Sequence, residues 1–592
     1  MSHGSRAAAA AGTSASELLR RAMNAYTTGI LVSLAVYLLV GTYAGRKVRH
    51  LEDYFVAGRR APTLLIVGTL VASLLSTTAF LGEAGMAYSG YGALVLTLVI
   101  VNVIGYIVGA LFFGRQLRRS RALTVAEFFG RRFASRRVQS AAGLMIVVGL
   151  GAYLMAVTQG TALVVSDVSN VPYGTALFVV WIGYTAFTFY SGSRGVVIND
   201  TMMFVLFMIG AFVALGFVVG SAGGWFHAVE ALATFPDKPG IIAWHGMNGP
   251  AATWKTPADA LTWAVILGVA WSVVVAVSPW QASRYLMAKN EHVVIRAGCG
   301  AGLALLVLYP ALMFCGAAIN LGNSRVEPAE GAMIWAALHL MPKLAGVVVM
   351  AGIAAAGLSS ATTFLSLVAF SASHDVLPQA EMDDARRLRI SRWSMLAVGL
   401  AALALSMTVP PNIFWITYFA GTVFASSWGP VAFLSVWSSR ITEAGAFWGL
   451  IAGFAGNVVP KGLDLLGVIS LPVWADPILI GGTVGAFVTI VVSRSGTVSE
   501  AEHRYREKLH EVPPDEFDAL ETKRSLRWPW VLIASGCALA VVMIHFYALP
   551  YGRAVSGSST GLPVGELVLS LGAGTILVAC GLLARWGILR RL

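Results

Sequence analysis

Residues 357–375 read GLSSATTFLSLVAFSASHD; seven of them carry hydroxyls, and five of those lie between Ser359 and Ser366. A second block, VGTLVASLLSTTAFLGEAG, holds Ser73, Ser76, Thr77 and Thr78, followed by Gly82 and Gly85. Both runs are apolar enough for lipid and rich in small residues. Hydroxyl oxygens, joined by backbone carbonyls that a helix break sets free, suit a sodium ion, which takes about five or six mostly neutral oxygens. The structural alternative is that Ser and Thr bond their own helix carbonyls or glue helices together. For any single hydroxyl both readings stand. Two such blocks at similar depth favour the ion.

The elements that must position these residues follow from composition. The chain has 592 residues, of which 57% are hydrophobic and 12% charged, with a mean hydropathy of +0.74. Soluble globular proteins carry about 25% charged residues. The composition is that of an all-α integral membrane protein, because long apolar runs dominate over barrel-like alternation. About fifteen candidate spans fall near 26–45, 62–88, 92–114, 139–164, 172–191, 197–220, 257–280, 296–321, 344–373, 391–410, 413–437, 444–460, 474–493, 528–548 and 564–586.

Loops 46–60 (RKVRHLEDYFVAGRR) and 114–137 are rich in Arg and Lys, whereas 221–256 has only Lys238 and Lys255, and 322–343 only Arg325 and Lys343. The positive-inside rule makes the first two cytoplasmic. Alternation then puts the N-terminus outside and the C-terminus inside, with 282–295, 374–392 and 494–527 cytoplasmic. The net charge of +12 therefore speaks of topology, not of nucleic acid. Residues 1–25 are expected to be a flexible tail without the form of a cleaved signal. Residues 26–494 form the transmembrane body, 495–527 a charged, partly helical, solvated cytoplasmic connector, and 528–592 two additional transmembrane helices. The four cysteines lie in apolar runs without metal or disulfide spacing and read as buried thiols.

Ionisable groups at bilayer depth are costly and tend to be functional. Asp200 lies near the cytoplasmic start of the sixth span, where it either sits at the interface or faces the bundle. Glu83 lies toward the outer end of the second, where it faces either outside water or the interior.

Four stretches together resemble the sodium:solute symporter family: DYFVAGRRAPTLLIVGTLVASLLSTTAFLGEAGMAYSGYG (53–92), SGSRGVVINDTMM (191–203), SPWQASRYLMAKN (278–290) and AAAGLSSATTFLSLVAFSASHDVL (354–377). The resemblance runs over roughly residues 26–494. It implies a LeuT-type fold of two inverted repeats of five helices, about 62–220 and 257–410. It further implies a main sodium site from the carbonyls of Ala72, Leu75 and Ala356 and the hydroxyls of Ser359 and Ser360. Thr362 and Thr363, with Asp200, match a second sodium site of some members. Here SGSR replaces the family's Gly-Gly start, and Asn199 replaces the Thr before the aspartate. The solute would sit beside the ion, walled by Thr77, Thr78 and Ala79 of one repeat and Trp263, Trp271 and Gln281 of the other. Trp415 and Tyr418 would form a gate. For each aromatic, ordinary packing or interfacial anchoring is the alternative.

The resemblance implies sodium-coupled symport of a small organic solute by alternating access, in a bacterial-type inner (plasma) membrane. Sodium is the co-transported ion, and the bilayer and the solute are the partners. No obligate protein partner is evident. A carboxylate or amino acid is preferred over a sugar, since the mapped wall is poor in Asn, Gln and Glu. Proton coupling through Asp200 or Glu83 is a variant. A transporter-like solute sensor is the second class, although RWGILRRL closes the chain without a signalling domain. A membrane enzyme is the third, and it lacks a His cluster, a metal pattern or paired carboxylates.

Overall fold

The computed structural model describes residues 24–46, 48, 50–250, 252–377, 383–556 and 562–591. The tail expected over 1–25 lies almost wholly outside them. The described residues form helices joined by short loops, without a β-strand, and twelve of these helical segments are long and apolar enough to cross a membrane. In chain order the main helices are α1 Ala25–Gly45, α2 Thr63–Leu74, α3 Gly92–Gly109, α4 Val125–Arg132, α5 Arg136–Ser169, α6 Tyr173–Ser221, α7 Pro257–Val277, α8 Pro279–Met287, α9 Glu291–Ala318, α10 Lys343–Phe370, α11 Asp384–Thr408, α12 Ile413–Trp437, α13 Glu443–Leu465, α14 Pro477–Arg494, α15 Glu500–His510, α16 Arg527–Met543 and α17 Val564–Arg591.

Each candidate span coincides with helix, and three depart from simple crossings. The second is broken after α2, and its later part, beginning at Thr78, runs on toward α3. The fifth and sixth share α6, interrupted at Gly192 (φ 51°, ψ −151°), a conformation open only to glycine. Any Cβ there would lie 2.5 Å from the Tyr54 ring. The twelfth, α13, is not among the twelve long apolar helices.

Stretch 282–295, expected as a loop, is mostly helical. Pro279 lacks the N–H that would continue α7 and instead occupies the first turn of α8, while Ser278 before it is extended (ψ 148°). Asn290 then caps α9 by accepting from the Val293 amide at 2.9 Å. Arg284, on α8, is therefore not a loop charge: it is 1% exposed.

The small-residue face of α10 serves packing as well. Gly352 lies against Phe207 and Gly210 of α6, so the two backbones approach closely. Connector 495–527 is partly helical, and α15 opens on a capping box between Ser499 and Glu502. It is also docked and not merely solvated: Arg132 of α4 donates to the Glu502 carbonyl (3.2 Å), and Arg296 of α9 pairs with Glu521 (2.6 Å). α16 and α17 pack as a pair with Gly536, Gly574 and Gly581 at their contact. Cys299, Cys315 and Cys580 are buried thiols, but Cys537 is exposed on α16.

Candidate functional site

Two helix breaks define the centre of the molecule. The first follows α2, where Leu75 leaves helical geometry (φ −80°, ψ 88°). The Ser76 amide turns to the Leu74 carbonyl instead of Ala72, and the Ser76 hydroxyl accepts from the Thr78 amide at 3.0 Å, at the start of the segment that follows the break. A Ser-Thr-Thr run offers the backbone these local alternatives to the helical ladder. The carbonyl of Ala72 is thereby released, and it accepts a hydrogen bond from the Ser360 hydroxyl of α10 at 3.3 Å. The second break is the Ser278–Pro279 step between α7 and α8.

Behind the first break lies a buried charge cluster. Asp200 of α6 accepts from Ser359 of α10 through Oδ1 (2.7 Å) and from Thr69 of α2 through Oδ2. Arg284 of α8 approaches Asp200 Oδ2 at 3.4 Å and donates to the Thr363 hydroxyl. Four helices thus converge on one ion pair, and neither member is solvent-exposed. Because Ser359 gives its proton to Asp200, its oxygen lone pairs stay free to face a cation.

Ala72, Leu75, Ala356, Ser359 and Ser360 are all buried, and direct contacts join Ala72 to Ser360. Thr362 hydrogen-bonds the Ser359 carbonyl of its own helix (2.8 Å). Gln281 reaches α2, donating to the Leu70 carbonyl (3.3 Å) and to Ser73 Oγ (3.2 Å). Thr78 meets Thr417 of α12 at 3.1 Å, while Thr77 and Ala79 are buried beside it. Trp263 lies between Trp254 and Phe414 with its ring tilted to both, whereas Trp271 packs on α12 at Gly421. Trp415 is 40% exposed and edge-on to Tyr418, which donates to Asp476 at 2.6 Å.

Sequence reasoning missed Arg284, Thr69, Tyr153, Ser278, Trp280 and Thr417. Arg284 was hidden because a basic residue between two apolar runs has the form of a topology signal. The Ser-Pro step before it was the available clue to a helix break. Tyr153 of α5 faces Ser76 and Thr78 and packs edge-on to Trp280, linking the two breaks.

A family model described as SSF: Sodium:solute symporter family matches residues 54–453. The chain is 25% identical over 443 residues to the Sodium/pantothenate symporter of Escherichia coli (strain K12), covering 72% of this chain and 89% of that protein. It is 24% identical over 524 residues to the Sodium/proline symporter of the same strain, covering 83% and 99%. Among solved structures it resembles a Na+-coupled sialic acid symporter in a substrate-bound outward-open state, at TM-score 0.69 and 15% identity, with 81% of this chain and all of that one covered. At that identity the likeness is one of fold.

Proposed function

This chain belongs to the sodium:solute symporter family and is a multi-pass, sodium-coupled symporter; from that premise we propose how its residues do the work. The main sodium site is formed by the carbonyls of Ala72, Leu75 and Ala356 with the hydroxyls of Ser359 and Ser360. The observation that carries this reading is the Ser360–Ala72 contact, made at the one place where α2 releases its carbonyls. An ion there ties α2 to α10, draws the broken helix against its neighbours and completes the solute pocket. Sodium and solute must then raise each other's affinity equally. At 100 mV, one charge moving inward contributes about 2.3 kcal/mol toward accumulation.

Asp200, Thr362 and Thr363 form the second set. With Arg284 already supplying a cation to Asp200 and Thr363, this set acts first as a brace behind the main site, orienting Ser359, and only secondarily as an ion site. Thr77, Thr78, Ala79, Trp263, Trp271 and Gln281, together with Ser278, Trp280 and Tyr153, wall the solute pocket. Trp415 and Tyr418 gate it.

The arrangement is a LeuT-type 5+5 fold with repeats near 62–220 and 257–410, one helix before them and further helices after. The chain crosses the membrane fifteen times, with its N-terminus outside, its C-terminus inside, 495–527 cytoplasmic and the last two helices in 528–592. Counting the broken second span, both parts of α6 and α13 as crossings brings the twelve long segments to fifteen. The solute is a small carboxylate or amino acid. The relatives named for pantothenate and proline both take solutes with a carboxylate, and hydroxyl and indole donors line the breaks.

The test is uptake of a radiolabelled solute panel into proteoliposomes under an imposed sodium gradient, with potassium and a pH gradient as controls. Accumulation driven by sodium alone is the expected result. Accumulation driven only by the pH gradient would discard the ion site.

A further inference from the structure

Glu83 belongs to no part of the sodium site, yet it lies in the outer half of the same broken helix, in the π-helical turn Thr78–Glu83. Next to it, Gly82 lies beside Phe414 of α12, and Phe80 packs on Phe207 of α6. The segment is held on several sides, so the carboxylate has little freedom to swing out. The Tyr309 hydroxyl of α9 faces Glu83, and the carboxylate oxygen Oε2 is buried without a hydrogen-bond partner. Among the described residues no Lys, Arg or His pairs with it. Lys238, packed on the outward continuation of this segment, is committed to the carbonyl of Tyr88 and to Asn320 Oδ1, at 2.9 and 2.7 Å.

A second buried acceptor lies at the other break. Gln281 spends its NH2 on Leu70 and Ser73, which leaves Oε1 without a partner. An amide oxygen and an ionised carboxylate can only accept, so each calls for a donor. Other unpartnered buried polar atoms around the two breaks include Thr77 Oγ1, Ser278 Oγ, Trp280 Nε1, Arg284 Nε and the hydroxyls of Tyr106 and Tyr285. All of these can donate. A carboxylate left unpaired in such surroundings is costly unless a cation arrives.

We infer that Glu83 receives the ammonium end of the transported solute, so that the solute is an amino compound and, with donors opposite for its carboxylate, an amino acid or similar zwitterion. This rests on the sodium-coupled pocket proposed above and narrows its solute class. Tyr309 holds the free carboxylate in place until the solute's N–H groups complete its hydrogen bonding.

The experiment pairs each amino acid of a radiolabelled panel with its deaminated 2-hydroxy analogue, in proteoliposomes of the intact chain and of the E83Q and E83D forms under an inwardly directed sodium gradient. Sodium-induced thermal stabilisation without solute serves as the control for folding and ion binding. The expected result is sodium-driven uptake of an amino acid but not of its analogue. E83Q raises the half-saturating solute concentration roughly tenfold or more, E83D recovers part of the loss, and sodium stabilisation is unchanged in all three. Sodium-driven uptake of a solute without a cationic nitrogen, or wild-type solute half-saturation in E83Q, would overturn the inference. Loss of sodium stabilisation in the unaltered protein would instead overturn the ion site beneath it.

Discussion

The Ser360 hydroxyl lies 3.3 Å from the Ala72 carbonyl although 288 residues separate them in the chain. The contact joins α10 to the point where α2 stops being a helix. Removing the Ser360 oxygen therefore removes one proposed sodium ligand and the clasp between the helices. In Ser360→Ala the half-saturating sodium concentration for uptake is expected to rise about tenfold, the equivalent of about 1.4 kcal/mol. Uptake measured against sodium concentration reads this directly, and an unchanged midpoint rejects the site.

Asp200 and Arg284 form a buried pair whose members lie on α6 and α8. Breaking such a pair leaves an uncompensated charge at a cost of about 3–5 kcal/mol, whereas removing both charges is far milder. Asp200→Asn alone and Arg284→Met alone should each lower the thermal midpoint of the detergent-solubilised protein strongly. The double substitution should recover at least half of the combined loss. Simple additivity would show that the two do not act as a pair.

Gly357 sits where α10, α5 and the broken helix meet. A Cβ there would lie 2.0 Å from Thr161 Oγ1 and 2.8 Å from Thr77 Cγ2. Gly357→Ala must push α10 away from the break, costing about 1–3 kcal/mol by overpacking. Adding Thr161→Ala removes the nearest obstacle. The pair should regain part of the lost stability, as read by thermal unfolding, together with part of the lost sodium affinity.

Glu127 on α4 offers a pH test outside the membrane-spanning helices. Its carboxylate accepts from the Leu123 amide (2.7 Å), pairs with Arg131 (2.6 Å) and meets His374 at 3.2 Å. Burial pushes the carboxyl up, but His374, Arg131 and the Leu123 amide outweigh it and hold it at about 2, below the ordinary 4.5. A carboxylate held low in the folded state stabilises fully above the unfolded value and loses that contribution as pH falls from about 4.5 toward about 2. The contribution is on the order of 3 kcal/mol. Glu127→Gln should be less stable at neutral pH and should show a flatter decline in thermal midpoint over that acidic window. Parallel declines in the two proteins would exclude this role.

The sequence by itself determined what is local or cumulative. Apolar run length demanded helices. The two hydroxyl blocks stood out because hydroxyls crowd together at similar depth in two otherwise apolar runs, and the four quoted motifs carried the family. Even the breaks are written locally: the Ser76–Thr78 run lets side chains capture backbone groups, and Pro279 cannot continue α7. What only the tertiary structure decided is partnership. Nothing in the order of residues says that Arg284, which has the appearance of a loop charge, turns inward to Asp200 and Thr363. Nothing there says that Ser359 aims its proton at Asp200, or that Gln281 serves α2 while leaving an acceptor unmet. These pairings depend on four helices meeting within a few ångströms, and hydrogen bonds are decided by distance and direction, which sequence spacing does not encode across helices.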